Sequence, residues 1–256
     1  MVQPLNIFVI NLDRRQDRLD HMLRTFDALD LQFTRVPAID GSSFCHNRYV
    51  KPGEAACFMS HRICWQRIVE DGLVAAAILE DDLHITPDAS QLFCTTEWIP
   101  RETDIIKLET MLRPVKLNKV PVSTVAGRKL YGLRSNHLGA GGYILTQQGA
   151  RWLLRQSDGC NTPVDHFLFD FSKPWAKELN TLQLVPAVCV QDFFLRGTKP
   201  SFQLGSDLHC ERALTCKGWS KLWREAKRPV KQLFRLFTRT SVNLFTKNKW
   251  TIVPWV

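Results

Sequence analysis

Residues Val74 to Leu83 read V-A-A-A-I-L-E-D-D-L, and this stretch gives the clearest indication of the fold. A short, wholly apolar run between polar residues predicts a strand that is buried on both faces of a parallel sheet. The run ends in three consecutive carboxylates, Glu80, Asp81 and Asp82. Open α/β sheets bind ligands just beyond the carboxyl ends of their strands. Because three clustered acids repel one another, we expect a hard divalent cation to neutralise them there.

The chain before this strand alternates between predicted strands and predicted helices. Strands are expected at residues 6–10 and 32–36. A helix follows the first of them, and Asp13 and Gln16 resemble a capping box at its start. A second helix is expected to begin at Gly53. This order of elements predicts right-handed crossovers and a central, mostly parallel sheet, and therefore an α/β fold.

The net charge of +9 is concentrated in one part of the chain. Residues 217–250 contain ten basic residues and one acid, whereas residues 1–216 carry 24 basic and 24 acidic side chains. This division predicts a neutral body, residues 1–216, and a basic C-terminal tail, residues 217–256.

The tail has the pattern of a basic amphipathic helix. Its Trp, Leu and Phe residues recur at helical spacing opposite Lys and Arg, and Pro229 divides the helix into two segments. Such a helix binds anionic membrane surfaces; packing against the body is the alternative. A neutral body argues against nucleic acid as a partner.

Cysteine usage and hydropathy bear on the cellular compartment. The eight cysteines form no C-x-x-C pair and have no regular spacing. They therefore predict reduced thiols in a cytosolic protein, and neither a disulfide framework nor a zinc site. The N-terminus has neither the basic region nor the cleavage site of a signal peptide. No apolar run reaches the roughly 18 residues that cross a membrane.

Two later segments carry further candidate residues. Residues 136–146, N-H-L-G-A-G-G-Y-I-L-T, contain three glycines within four positions, which lets a backbone pass close to a ligand. They do not match the dinucleotide-binding motif G-x-G-x-x-G, because no glycine stands at the last position of that motif. Pro163-Val164-Asp165 begins a predicted helix. Asp165 either serves only as a partner of the helix dipole or, beside the glycine-rich segment, binds a polyol or acts as a base.

Several blocks of sequence, in order, resemble glycosyltransferase family 25, which includes bacterial lipooligosaccharide galactosyltransferases and procollagen galactosyltransferases. The resemblance covers roughly residues 5 to 195. The blocks are Val9 to Leu12 with Arg14 to Arg18, Ala38 to Gly41, Gly53 to His61, Ile78 to Asp82, and Gly139 to Tyr143 with Gly149-Ala150 followed by Pro163 to Asp165. The chain departs from the family at Ala140, where a hydroxyl residue is usual, and at Gly142, where alanine is common.

The resemblance implies a GT-A fold, in which a nucleotide-binding α/β sheet carries an acidic metal motif. It also implies an inverting transfer from a sugar nucleotide, UDP-galactose. A Mn²⁺ or Mg²⁺ ion would neutralise the charge that develops on the leaving diphosphate. Acids two positions apart on a tight turn can face one site, whereas adjacent acids on a strand point to opposite faces. We therefore assign Glu80 and Asp82 to the metal and Asp81 to the donor ribose or sugar.

The resemblance also suggests roles for residues around the acids. The expected donor-binding residues are Asn11, Leu12, Arg14, Arg18, Ser60, His61 and Gly141. A histidine that is merely part of the core is the alternative for His61. Inversion requires a base that takes the proton of the acceptor hydroxyl. Asp165 is the first candidate for that base, and Glu109, just beyond a strand expected at residues 105–108, is the second.

The expected function is transfer of a hexose to a saccharide acceptor on a lipooligosaccharide or lipopolysaccharide core. The protein would work at the cytoplasmic face of a bacterial inner membrane, with the tail as a peripheral anchor. UDP-glucose or an N-acetylhexosamine is the alternative donor, and a catalytically silent membrane-peripheral binding module is the alternative outside enzymes. A metal-dependent phosphohydrolase would need further ligands, and His137, Asp165, Asp192 and His209 form no such pattern.

Overall fold

The structure, a computed structural model, describes residues 4–44, 50–195, 204 and 240–256. The strands are β1 (Asn6–Asn11), β2 (Thr34–Pro37), β3 (Ala75–Glu80), β4 (Leu83–Ile85), β5 (Ile105–Lys107), β6 (Pro114–Asn118), β7 (Ser123–Val125), β8 (Arg128–Gly132), β9 (Gly142–Thr146), β10 (Thr181–Val185), β11 (Cys189–Gln191) and β12 (Asn248–Ile252). The helices are α1 (Gln16–Ala28), α2 (Pro52–Glu70), α3 (Ser90–Phe93), α4 (Gln147–Gln156), α5 (Val164–Phe169), α6 (Pro174–Glu178) and α7 (Asp192–Leu195).

A central sheet of eight strands, in the order β2-β1-β3-β9-β5-β10-β8-β7, organises the fold. Six of these strands point in one direction, and β9 and β8 point in the other. The expected mostly parallel sheet in an α/β fold is therefore confirmed. Because β9 runs against both neighbours, its first residue, Gly142, pairs with Leu79 near the end of β3. The glycine-rich segment thus reaches the same edge of the sheet as the acids.

The sheet is covered on both faces, as the sequence of β3 predicts. Residues 75, 77 and 79 belong to a cluster with Met22 and Phe26 of α1. Residues 76 and 78 belong to the opposite cluster, which includes side chains of α2, α4 and α5. Successive residues of a strand point to opposite faces, so a strand between two helical layers must be apolar throughout.

The start of α1 differs from the predicted capping box. Arg15 occupies the N-cap position, and no side chain caps the helix there. Gln16 instead donates from Nε2 to the carbonyl of Asp13 at 2.7 Å. The carboxylate of Asp13 pairs with Arg35. The acid that was expected to cap the helix is therefore held by the neighbouring strand.

The C-terminal residues pack on the body. β12 pairs with β6, and Val253 is fully buried. The backbone of Ala187 donates to the carbonyl of Pro254 at 2.8 Å, and Arg128 Nη2 donates to that of Val256 at 2.7 Å. Residues 217–239, on which most of the amphipathic-helix prediction rests, lie outside the described residues. Within the described ranges, no helix combines the length and the apolar composition needed to cross a membrane.

Candidate active site

A cavity of about 490 Å³ lies at the edge of the sheet where β1 and β3 end and β9 begins. This is where an α/β sheet is expected to bind a ligand. Most of the predicted site residues meet here. Those that line the cavity are Leu12, Arg14, Arg18, Ser60, His61, Glu80, Asp81, Asp82 and Asp165.

Glu80, the last residue of β3, is held by three neighbours. Its Oε1 atom lies 3.3 Å from His61 Nε2 and 3.7 Å from Cys57 Sγ. Its Oε2 atom accepts a hydrogen bond from Gln191 Nε2 at 2.8 Å. Burial opposes ionisation of Glu80, but the hydrogen bond from His61 and the charge of Arg18 outweigh it and hold the pKa of Glu80 below its ordinary value. The carboxylate is therefore both ionised and fixed in orientation.

His61 is fully buried, and it connects Glu80 to a short hydrogen-bonded chain. Its Nδ1 atom lies 2.9 Å from the Tyr143 hydroxyl, which also accepts a hydrogen bond from Trp65 Nε1 at 2.9 Å. Since the tyrosine oxygen already accepts from Trp65, its own proton is available to His61 Nδ1. This leaves the Nε2 proton of His61 to donate to Glu80. His61 is thus a core residue that also orients a site carboxylate.

Asp82 stands beside Glu80 and shares one amide with it. Gln191 Nε2 lies 3.5 Å from Asp82 Oδ1 as well as 2.8 Å from Glu80 Oε2. Burial, and then repulsion from Glu80, raise the pKa of Asp82 to about 8. The pair therefore holds one charge and one proton near neutral pH. A divalent cation could take the place of that proton.

Asp81 faces a different set of partners. Its two carboxylate oxygens accept from Arg18 Nη1 and from Asn11 Nδ2, each at 2.8 Å. Burial raises the pKa of Asp81, with Arg18 and Asn11 opposing the shift. Asp81 therefore has partners different from those of Glu80 and Asp82, and its assignment to the donor stays a prediction. Asn11 does not line the cavity, and its side-chain amide instead donates to Asp81 Oδ2 and to the carbonyl of Arg15.

Glu109 does not reach the cavity, which contradicts its candidacy as the base. Its side chain is fully buried and pairs with Lys107 Nζ at 2.9 Å. Its Oε1 atom also accepts from the backbone of Gly141 at 3.0 Å. Lys107 in turn donates to the carbonyl of Gly139 and lies 4.0 Å from the centre of the Phe169 ring. Glu109 therefore fixes the glycine-rich segment and cannot contact an acceptor in this arrangement.

Asp165 lines the cavity from the first turn of α5. Its Oδ1 atom accepts a hydrogen bond from the backbone of His166 at 2.9 Å. Asp165 also lies in the first turn of α5, the position considered for a partner of the helix dipole, and no side chain caps this helix. The same side chain is also the carboxylate that α5 presents to the cavity.

Other predicted donor contacts have structural partners. Ser60 donates to the carbonyl of Ala56 at 2.8 Å and accepts from the backbone of Ile39 at 2.9 Å, which ties the chain after β2 to α2. Arg14 pairs with Asp40 at the cavity wall. These contacts shape the pocket.

The glycine-rich segment makes the predicted close approach, but to protein atoms. A Cβ atom on Gly141 would lie 3.0 Å from Glu109 Oε2, and one on Gly142 would lie 2.5 Å from Cys189 Sγ. Such a distance leaves no room for a side chain at Gly142. The departure from the alanine that is common in the family thus has a local cause.

Three contributors were missing from the sequence prediction. Gln191 ends β11 and bridges Glu80 and Asp82, Cys57 approaches Glu80, and Tyr143 holds His61. A polar residue at a strand end is a usable signal, and Gln191 has that position. The contacts of Cys57 and Tyr143 depend on the packing of α2 over β3 and β9 and have no local signal.

Comparison with known proteins gives concordant matches. A family model described as "Glycosyltransferase family 25 (LPS biosynthesis protein)" matches residues 5–168. The chain is 27% identical over 241 residues to the "Lacto-N-neotetraose biosynthesis glycosyltransferase LgtB" of Neisseria gonorrhoeae, with 85% of each chain covered. It is 28% identical over 223 residues to the "Lipooligosaccharide biosynthesis protein lic2B" of Haemophilus influenzae, covering 80% of this chain and 82% of that one.

A solved structure, "crystal structure of a glycosyltransferase involved in the glycosylation of the major capsid of PBCV-1", overlaps with 73% of this chain and 93% of its own. The identity is 7% and the TM-score 0.42, and so loose an overlap carries no argument.

Proposed function

The chain belongs to glycosyltransferase family 25, and from this premise we propose that it is an inverting transferase with a GT-A fold. It moves a hexose, galactose from UDP-galactose, to a saccharide acceptor on lipooligosaccharide. The names of the relatives support this acceptor class, since they include lacto-N-neotetraose and lipooligosaccharide biosynthesis proteins. UDP-glucose or an N-acetylhexosamine remains the alternative donor.

The observation that carries the proposal is the pairing of Glu80 with Asp82 through Gln191 in the cavity. Two neighbouring carboxylates at a strand end, one ionised and one protonated, suit a hard cation such as Mn²⁺ or Mg²⁺. Glu80 and Asp82 would hold this cation, with Gln191 orienting both. When bound, the cation supplies positive charge against the phosphates of the leaving nucleotide.

The remaining residues act on substrate position and on one proton. Arg14 and Leu12 line the cavity beyond β1 and would contact the nucleotide. Arg18 holds Asp81 in place for the donor ribose or sugar. Asp165 takes the proton of the acceptor hydroxyl. The acceptor oxygen bonds to the anomeric carbon of the donor sugar, and the bond from that carbon to the diphosphate oxygen breaks. Glu109 keeps the glycine-rich wall of the cavity in place.

Domain organisation and location belong to the same proposal. Residues 1–216 form the catalytic unit, completed by β12 and the residues after it. The basic residues between 217 and 250 bring it to an anionic membrane at the cytoplasmic face of the inner membrane. Replacing the eight basic residues between 217 and 239 by glutamine should abolish binding to anionic vesicles and leave activity on a soluble acceptor. Unchanged vesicle binding would remove this anchor from the proposal.

Thermal unfolding and turnover of the purified protein test the transferase proposal. We expect UDP-galactose with Mn²⁺ to raise the melting temperature and to give product with a truncated lipooligosaccharide acceptor. Asp82→Asn and Glu80→Gln should lose metal-dependent turnover while staying folded. Asp20→Asn, an exposed acid on α1, is the matched control and should behave as wild type. If no UDP-sugar stabilises the protein against heat, the transferase proposal fails.

A further inference from the structure

A cysteine, a histidine and a glutamate converge on one wall of the cavity. Cys57 and His61 lie four residues apart on α2 and therefore on one face of the helix. Glu80 reaches them from the end of β3. One ligand atom from each of the three side chains lies within 4.8 Å of the other two.

Two of the three separations between the prospective ligand atoms match the edges of a tetrahedral zinc site, and the third, between Cys57 and His61, lies within 4.8 Å. With metal bonds of about 2.3 Å to sulfur and about 2.1 Å to nitrogen or oxygen, tetrahedral angles place sulfur about 3.6 Å and nitrogen about 3.4 Å from the oxygen. The observed distances from Glu80 Oε1 are 3.7 Å to Cys57 Sγ and 3.3 Å to His61 Nε2. These atoms could receive an ion with little rearrangement.

The surroundings also suit a metal ligand set. Histidine ligands are commonly fixed through the ring nitrogen that does not bind the metal. Here the Tyr143 hydroxyl lies 2.9 Å from His61 Nδ1, and Trp65 Nε1 in turn donates to that hydroxyl at 2.9 Å. All three prospective ligands line the cavity, which leaves a fourth coordination position open to solvent or substrate.

We propose that Cys57, His61 and Glu80 form a binding site for Zn²⁺ in the wall of the cavity. A thiolate, an imidazole and a carboxylate favour zinc over Mg²⁺ or Mn²⁺, which prefer oxygen ligands alone and bind such sets more weakly. On binding, the thiol proton of Cys57 leaves to solvent. The imidazole changes tautomer: Nε2 gives up the proton that faces Glu80, Nδ1 takes one up, and the Tyr143 oxygen then accepts from Nδ1 while the tyrosine hydroxyl proton turns away.

Zinc binding itself does not depend on the proposed transferase function, but its effect on turnover rests on that function. Glu80 cannot serve a zinc ion and the donor-bound cation with the same geometry. Zn²⁺ therefore inhibits Mn²⁺-dependent transfer, and a chelator that is selective for zinc over manganese restores it. In Cys57→Ser, the same zinc concentration inhibits less, measured against the zinc-free rate of that variant.

Cobalt substitution tests the site without reference to activity. Co²⁺ added to the full-length protein should produce the near-ultraviolet charge-transfer band of a cobalt–thiolate bond, and Zn²⁺ should remove it. Cys57→Ser should lose this band and bind Zn²⁺ more weakly by at least about tenfold, since even the loss of an outer-shell partner costs about 10–100-fold. Cys94→Ser, at an exposed thiol outside the cavity, is the matched control and should retain both.

Two results would overturn the zinc site. One is an equal cobalt band in Cys57→Ser and wild type, with thermal unfolding showing both to be folded. The other is calorimetry in buffers of different ionisation enthalpy that finds the same proton release on zinc binding in both. Absence of UDP-sugar turnover with the cobalt band intact would overturn only the transferase function. Turnover of a UDP-sugar without any cobalt band would overturn only the zinc site.

Discussion

Arg18 Nη1 and Asp81 Oδ1 lie 2.8 Å apart in an ion pair whose side chains are 8% and 7% exposed. Removing one partner of a buried pair leaves an uncompensated charge, which costs about 3–5 kcal/mol. We expect Arg18→Gln and Asp81→Asn each to lower the free energy of unfolding by about 3 kcal/mol. The double variant should lose less than the sum of the two, as measured by urea denaturation. Arg24→Gln, an exposed arginine on the same helix, should change stability by less than about 0.5 kcal/mol.

Additive losses in this cycle would contradict the ion pair as an energetic unit. The same variants address the donor. Because Arg18 acts on the donor through Asp81, the double variant should lose less stability than the sum of the single variants and should bind a UDP-sugar as weakly as Asp81→Asn.

The raised pKa of Asp82 predicts how the stability of the metal-free protein depends on pH. The folded-state pKa is about 8 against an ordinary value of 3.8. Between these values the native state keeps a proton that the unfolded state releases, so stability falls as the pH rises through this window. Asp82→Asn should remove this part of the pH dependence. Denaturation at several pH values in the presence of a chelator measures it.

The lowered pKa of Glu80 acts in a separate window. Its contribution to stability is present above the ordinary value of 4.5 and is lost as the pH falls through the lower folded-state pKa.

Mg²⁺ or Mn²⁺ should reduce the part of the pH dependence of stability that is due to Asp82, because the cation replaces the proton. If the free energies of unfolding of wild type and Asp82→Asn stay parallel from about pH 4 to about pH 8, the pKa of Asp82 is close to its ordinary value.

Gly142 is packed against Cys189. Since a Cβ atom there would lie 2.5 Å from the Cys189 sulfur, Gly142→Ala should destabilise the protein by about 1–3 kcal/mol. Cys189→Ala removes the obstructing sulfur, so Gly142→Ala should cost less in that background. Thermal or urea denaturation of the four proteins gives the coupling. An equal cost in both backgrounds would mean that another contact excludes the side chain.

The C-terminal strand offers a matched pair of neighbours. Val253 is fully buried, and Ile252 is 53% exposed. Burying a valine side chain stabilises a fold by about 1.5–3 kcal/mol, so Val253→Ala should lower the free energy of unfolding by about 1–2 kcal/mol. Ile252→Ala should have little effect. Similar losses for both variants would argue that the chain at the end of β12 is not packed on the body.

Local patterns predicted the strands and helices that precede the three acids, and non-local pairing was harder to predict. The apolar runs at β1 and β3 and the stripe of α2 are local signals, and the structure has all three elements. The reversed direction of β9 was not visible, because direction depends on which strands become neighbours. The same applies to β12, which lies in a segment whose basic charge suggested a separate tail.

In the candidate site, too, some features follow from the local sequence and others depend on tertiary packing. The separation of Glu80 and Asp82 from Asp81 followed from strand geometry. The burial of Glu109 could also have been predicted, since Lys107 stands two residues before it in an apolar strand, and residues at i and i+2 share a face. A lysine there needs an anionic partner. Gln191, Cys57 and Tyr143 come together only through tertiary packing, so their roles needed coordinates.

The strand order also determines at which stage of synthesis the cavity can form. β3 lies beside β9, a later strand, and Gln191 must still arrive to orient Glu80. The last residues then return to bond with Ala187 and Arg128. Pairings this distant in sequence form slowly, and the emerging chain exposes unpaired strand edges until they do. We therefore expect the nascent chain to acquire a working cleft only after residues 248–256 have left the ribosome, and products truncated before them to aggregate before they fold.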